Sequence, residues 1–82
     1  MKLELYYFEA CPFCQIVLEC INSLGLDITY CDLYADSAHR ERLFNETGRY
    51  TVPCLFIDDR PMHESRDIIN WLQENADNIP KK

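Results

Sequence analysis

The spacing of apolar residues along the chain predicts strands that alternate with helices. Apolar and polar side chains alternate from Lys2 to Phe8, which is the period of a half-buried strand. Steps of three and four follow and predict a helix whose first turn contains Pro12 and which ends at Gly25. The apolar residues that we expect on its inward face are Phe13, Ile16, Val17, Cys20, Ile21 and Leu24.

The middle of the chain predicts a second strand and a second helix. Residues 26–33 are rich in β-branched and aromatic residues, which favours a strand. Asp36 or Ser37 can cap the helix that follows, and Gly48 is a suitable end for it. We expect its inward stripe to consist of Leu43, Phe44 and Thr47.

The last third of the chain predicts two short strands and a third helix. Residues 54–57 form a continuously apolar run, typical of a strand at the centre of a sheet. Residues 58–60 indicate a hairpin turn into a brief strand around Pro61, and the third helix starts near Glu64. We expect residues 78–82 to be a frayed tail.

This order of elements predicts one α/β domain over residues 1–82. The succession β-α-β-α-β-β-α requires a right-handed parallel crossover followed by an antiparallel hairpin. The fold class is therefore a mixed sheet of four strands flanked by about three helices.

Composition and charge narrow the classes of partner. The 82 residues include 14 acidic and 8 basic side chains, a net charge of −6, which argues against nucleic acid or an anionic membrane as partner. No apolar run approaches the roughly 20 residues that span a bilayer, and the N-terminus lacks a signal-peptide core. We therefore expect a cytoplasmic protein.

The five cysteines are the residues that indicate which chemistry the protein performs. An odd number without a secretory signal makes a structural disulfide framework the less favoured interpretation. Only Cys11 and Cys14 have the CxxC spacing, and His39 and His63 lie far apart in the chain. We therefore expect no metal site.

Cys11 follows a predicted strand and precedes a predicted helix. The unpaired N–H groups and partial positive charge of a helix N-terminus favour a thiolate over a thiol. Cys11 has the more open position and is the expected nucleophile, while Cys14, one turn later, can attack a mixed disulfide on Cys11. The alternative is that two small apolar residues lie three apart by coincidence, but the strand-to-helix context favours redox chemistry.

These motifs resemble those of a known family. Cys11-Pro12-Phe13-Cys14 looks like the active site of dithiol glutaredoxins, and residues 48–53, which end in Thr-Val-Pro, are similar to a second glutaredoxin segment. Phe56-Ile57-Asp58 follows as in that family. Residues 62–69 depart from the usual Gly-Gly-Cys-Asp-Asp and look more like the Glu-Ser helix start of glutathione-transferase N-terminal domains.

The resemblance implies a thioredoxin-like (glutaredoxin) fold with glutathione as co-substrate. It implies that Cys11 reduces protein–glutathione mixed disulfides and small disulfides, with Cys14 as the resolving thiol. The expected partners are glutathione and glutathionylated or disulfide-containing proteins, and we expect a monomer. The candidate glutathione-binding residues that it gives are Phe13, Thr51, Val52, Pro53, Glu64, Ser65, Arg66, Asp67 and Arg40.

Several of these residues could instead have an ordinary structural role. Ser65 and Asp67 would also serve as ordinary caps of the third helix. The position of Phe13 in the apolar repeat also fits the inward face of the first helix. The cis form of the Val52–Pro53 bond is implied by the resemblance, because the residues themselves show only an extended residue before proline.

Phe8 is the clearest departure from the family pattern. Many glutaredoxins have a lysine three residues before the nucleophile, and its loss removes a positive charge expected to meet glutathione and the thiolate. Two other functions stay open: an iron–sulfur cluster carrier in which two protomers share a cluster through Cys11 and glutathione, and a glutathione-binding redox-responsive module without efficient turnover. Pro12 counts against the carrier, since cluster-holding relatives tend to have Gly or Ser there.

Overall fold

The computed structural model describes residues 1–82 and confirms the predicted order of elements. Three helices flank a four-stranded mixed sheet, and a short 3₁₀ turn follows the last helix at Ala76–Asn78. The elements are β1 (Leu3–Tyr7), α1 (Pro12–Leu24), β2 (Thr29–Asp32), α2 (Ser37–Thr47), β3 (Cys54–Ile57), β4 (Arg60–His63) and α3 (Ser65–Asn75).

The sheet has the strand order β2-β1-β3-β4. The strand β1 pairs with β2 in parallel and with β3 antiparallel, so that Leu5 lies between Tyr30 and Leu55. The hairpin of β3 and β4 turns at Asp58 and Asp59, whose φ angles of 47° and 70° are both positive. Such a two-residue turn matches the right-handed twist of the flanking strands. The turn fixes the register of β3 and β4, in which Cys54 lies opposite His63.

The two faces of the sheet bury two separate hydrophobic clusters. Because successive side chains of a strand point to opposite faces, Leu3 and Leu5 belong to one cluster and Tyr6 to the other. The larger cluster contains residues of α1 and α3, which pack on each other. The smaller cluster includes Leu43 of α2. Both faces of the sheet are therefore covered by helices.

The inward faces of α1 and α2 are narrower than the sequence predicts. In α1 the buried residues are Cys14, Val17 and Ile21, whereas Phe13 is 64% and Ile16 is 44% exposed. In α2 only Leu43 is buried. The expectation was right for Leu43 and wrong for Phe13, Ile16 and Phe44, because each helix contacts the rest of the domain along one stripe and apolar residues at its edge stay in solvent.

The C-terminal tail is fixed to the domain, so the expectation of fraying was also wrong. Ile79 is 3% exposed and belongs to the larger cluster. The backbone N–H of Asp27 donates to the Pro80 carbonyl at 2.8 Å, and that of Lys82 donates to the Gly25 carbonyl at 2.9 Å. Burial of an apolar side chain offsets the entropy cost of ordering these residues.

The three helices are too short or too polar to cross a lipid bilayer.

Candidate active site

Cys11 is the N-cap residue of α1. Its extended backbone turns the chain from β1 into the helix, and Pro12 occupies the first helical position. The backbone N–H of Cys14 donates a hydrogen bond to Cys11 Sγ at 3.3 Å. Hydrogen bonding and the helix dipole both favour negative charge on this sulfur. Cys11 retains 7% of its surface exposed, which leaves a narrow path to solvent.

Cys14 lies in a different environment from Cys11. Its side chain has no exposed surface. Burial, followed by the hydrogen bond with Cys11, raises the pKa of Cys14 to about 12, and a backbone interaction with Phe8 only partly offsets this rise. Cys14 is therefore a neutral thiol near pH 7, and the two cysteines are chemically unequal.

The segment before β3 brings its backbone beside the Cys11 sulfur. The Val52–Pro53 peptide bond is cis, and Pro53 is buried while Val52 is half-buried. The Val52 carbonyl oxygen lies 3.9 Å from Cys11 Sγ. The Val52 N–H has no hydrogen-bond partner within the chain. An extended ligand bound at Cys11 would find this N–H group unpaired.

A cleft joins this segment to the starts of α1 and α3. It has a volume of about 180 Å³. Six of the residues expected to bind glutathione line it: Phe13, Thr51, Val52, Pro53, Glu64 and Ser65. Glu64 precedes α3 with a φ of 72°, and its side chain does not cap the helix. The first N–H groups of α3 are thus free to bind an anion near Ser65.

The other three expected residues do not line the cleft. Arg66 borders a neighbouring groove, and Asp67 is exposed in the first turn of α3. The Arg40 guanidinium is hydrogen-bonded to the Leu33 carbonyl. This bond ties Arg40 to the loop after β2, and a role of Arg40 in glutathione binding stays a prediction.

Phe8 occupies the position of that lysine. The ring is half-buried, packs against the smaller hydrophobic cluster and meets the Tyr34 ring edge-on at a centroid distance of 5.4 Å. No positively charged side chain lines the cleft. Favourable interactions with an anion there come from the helix N-terminus.

His63 is a neighbour of the site that the sequence analysis did not include. Its Nε2 lies 3.9 Å from the sulfur of Cys54, which is completely buried. Burial raises the pKa of Cys54 to about 11, and burial together with the charge of Arg49 lowers the pKa of His63. The two-residue turn at Asp58 and Asp59 would have revealed this pair, because it sets Cys54 opposite His63.

Comparisons with known proteins agree with this geometry. Residues 5–80 match the family model described as the glutathione S-transferase N-terminal domain. Glutaredoxin 3 of Escherichia coli is 34% identical over 57 residues, which cover 70% of this chain and 69% of that protein.

Solved structures show the same fold. The structure of the thioredoxin-like protein BC3987 is 30% identical, with a TM-score of 0.75, and the alignment covers 89% of this chain and 97% of that one. An epsilon-class glutathione S-transferase from the housefly Musca domestica is 26% identical with a TM-score of 0.75. The alignment covers 92% of this chain but only 35% of the transferase, so the chain spans about a third of that enzyme. The fold is thus thioredoxin-like, and the chain belongs to the glutaredoxin family of thiol–disulfide oxidoreductases, with a domain of the glutathione S-transferase N-terminal type.

Proposed function

We propose that the protein reduces mixed disulfides between proteins and glutathione, and small disulfides, with Cys11 as nucleophile and glutathione as co-substrate. The observation that carries this proposal is the surroundings of the Cys11 sulfur. It accepts a hydrogen bond from the Cys14 N–H at a helix N-terminus and lies 3.9 Å from the Val52 carbonyl at the edge of the cleft. The start of the helix thus presents an N–H donor to this sulfur, and the cleft residue Val52 lies beside it.

Glutathione would lie along the cleft with its sulfur at Cys11. The free N–H of Val52 would pair with the cysteinyl part of the tripeptide in a strand-like contact, flanked by Thr51, Pro53 and the exposed ring of Phe13. The γ-glutamyl carboxylate would bind the first N–H groups of α3 at Glu64 and Ser65. We expect Asp67, in the same turn, to attract the γ-glutamyl ammonium group.

The reaction is two successive thiol–disulfide exchanges. The Cys11 thiolate attacks the glutathione sulfur of a mixed disulfide, which forms a Cys11–glutathione disulfide and expels the substrate protein's thiolate, which then takes a proton from water. A second glutathione, as thiolate, attacks the glutathione sulfur on Cys11. Glutathione disulfide leaves, and the electron pair returns to Cys11.

Cys14 provides a second route. As a thiolate it would attack Cys11 Sγ in a mixed disulfide, form a Cys11–Cys14 disulfide and expel the bound thiol as its thiolate. Two glutathione molecules would then reduce this disulfide and leave as glutathione disulfide. The high pKa of Cys14 makes this route the slower one near pH 7. Because both routes consume glutathione, we expect the protein to act in a reducing compartment such as the cytoplasm. We also expect it to act as a monomer.

The test is turnover of the cysteine–glutathione mixed disulfide with glutathione, glutathione reductase and NADPH. We expect the wild type to be active and Cys11→Ser to lose at least about a thousandfold in kcat/KM, because no other cysteine is the N-cap of a helix beside the cleft. Cys20→Ser, on the same helix, is the matched control and should retain full activity. Activity in Cys11→Ser would contradict the assignment. A wild type with neither turnover nor glutathione binding would refute the proposal.

A further inference from the structure

A second groove adjoins the cleft on the opposite side of Phe13. It has a volume of about 300 Å³ and lies between α1 and α3. Its lining residues are Phe13, Ile16, Ser65, Arg66, Ile69 and Asn70, of which Phe13 and Ser65 also line the cleft. The groove therefore continues from the cleft past these two residues.

The groove is apolar and unfilled by the domain itself. Phe13 and Ile16 are 64% and 44% exposed, although a helix normally turns such side chains inward. Ile69 of α3 lies opposite them and is half-buried. Exposed apolar side chains gathered around one depression, rather than scattered singly, indicate a binding surface.

Arg66 is the one charged side chain in this lining. The ion pairs of the protein join Arg42 to Glu4 and Asp59, and Lys2 to Asp59, so Arg66 has no carboxylate partner. The protein as a whole is acidic, with a net charge of −6. A cation at the edge of an apolar groove on an acidic protein selects a ligand with both an apolar side chain and a carboxylate.

We propose that this groove binds the polypeptide of the glutathionylated substrate, and that it selects proteins with an aliphatic and an acidic residue beside the modified cysteine. This inference rests on the proposed function. While glutathione occupies the cleft, the aliphatic side chain lies against Ile16 and Ile69, and the carboxylate pairs with Arg66. The exchange at Cys11 is unchanged; the groove contributes binding energy that a small mixed disulfide cannot use.

The experiment compares glutathionylated peptides of equal length as substrates. One carries leucine and glutamate within two residues of the modified cysteine, a second replaces only the leucine by serine, and a third replaces only the glutamate by glutamine. For the wild type we expect kcat/KM to fall about tenfold without leucine and about threefold without glutamate.

Variants assign each preference to its side chain. Ile16→Gln should lose the preference for leucine and retain that for glutamate, and Arg66→Gln should do the reverse. Glu19→Gln on α1 and Arg60→Gln on β4 are the matched controls, since neither residue lines the groove, and both should keep the two preferences. Ile16→Gln should leave turnover of the cysteine–glutathione disulfide unchanged.

Three results would overturn the inference. The first is equal kcat/KM for the three peptides, and the second is a preference that persists in Ile16→Gln and Arg66→Gln. The third is a dimer in sedimentation velocity that Ile16→Gln dissociates, which would make a second copy the occupant. If even the cysteine–glutathione disulfide is not turned over, the proposed function fails and the inference falls with it. Turnover of that small substrate without discrimination among the peptides refutes the inference alone.

Discussion

The backbone N–H of Cys14 donates a hydrogen bond to the sulfur of Cys11, while the Cys14 thiol itself has no exposed surface. One residue thus supports the nucleophile through its backbone and is withheld from solvent through its side chain. The spacing of three residues at a helix start produces this arrangement, because the N–H of the third helical residue points toward the N-cap side chain.

Cys14→Ser should therefore retain at least about half of the wild-type kcat/KM on a protein–glutathione mixed disulfide. The serine keeps the backbone N–H, and a thiol with a pKa of about 12 contributes little as a nucleophile at pH 7. The coupled glutathione reductase assay measures this, with Cys20→Ser as the control. A loss of more than about tenfold would show that the dithiol route carries the reaction.

The free energy of unfolding should fall as the pH rises above about 9. Folding raises the pKa of Cys14 and Cys54 from 9.0 to about 12 and about 11. Between these pKa values the unfolded chain releases protons that the folded protein still holds. The two thiols therefore make their full contribution to the free energy of unfolding below pH 9, and this contribution is lost as the pH rises above 9. Urea unfolding from pH 7 to 11 in the presence of a reductant measures the decline. It should be shallower in Cys54→Ala, and a pH-independent stability would contradict the prediction.

Phe8→Lys should lower the KM for glutathione about threefold, because it adds a positive charge near a cleft that has none. The loss of the contact with Tyr34 and the smaller cluster should reduce stability at the same time. Phe8→Gln removes the same ring without adding charge and serves as the control. If both variants show the same KM, the charge has no effect on glutathione binding.

Arg42→Lys should reduce the free energy of unfolding by about 1–2 kcal/mol. The Arg42 guanidinium donates to Glu4 and to the Tyr6 hydroxyl at 2.8 and 2.9 Å, and it lies 4.4 Å from the centroid of the Phe56 ring. A lysine ammonium cannot make these contacts together. Urea unfolding tests this, and Arg60→Lys, at an exposed position without an ion pair, should be neutral.

Ile79→Ala should reduce the free energy of unfolding by about 2 kcal/mol or more, because the side chain fills the larger cluster. Ile16→Ala is the matched control: the same atoms are removed from a side chain that is 44% exposed, and the cost should be much smaller. Equal costs for the two variants in urea unfolding would mean that the tail does not support the core.

Local sequence features were enough to predict the order of elements, the helix ends and the position of Cys11 and Cys14 at a helix start. These features depend on local chemistry: alternation in β1, the glycines after α1 and α2, and a proline in the first turn of α1. The CPFC spacing likewise fixed the relation between Cys11 and Cys14, since one helical turn separates them.

The contacts between segments that are far apart in the chain could not be predicted in this way. Periodicity identifies an apolar side of α1, but it does not say how much of that side α3 and the sheet cover, so the exposure of Phe13 and Ile16 was not predictable. The hydrogen bond from Arg40 to the Leu33 carbonyl likewise joins α2 to the loop after β2, a contact that no local pattern indicates. Ile79 looked like part of a loose tail because its contacts are with residues far away in the chain. Local rules fix each segment, whereas burial and ion pairing depend on the packing of all segments together.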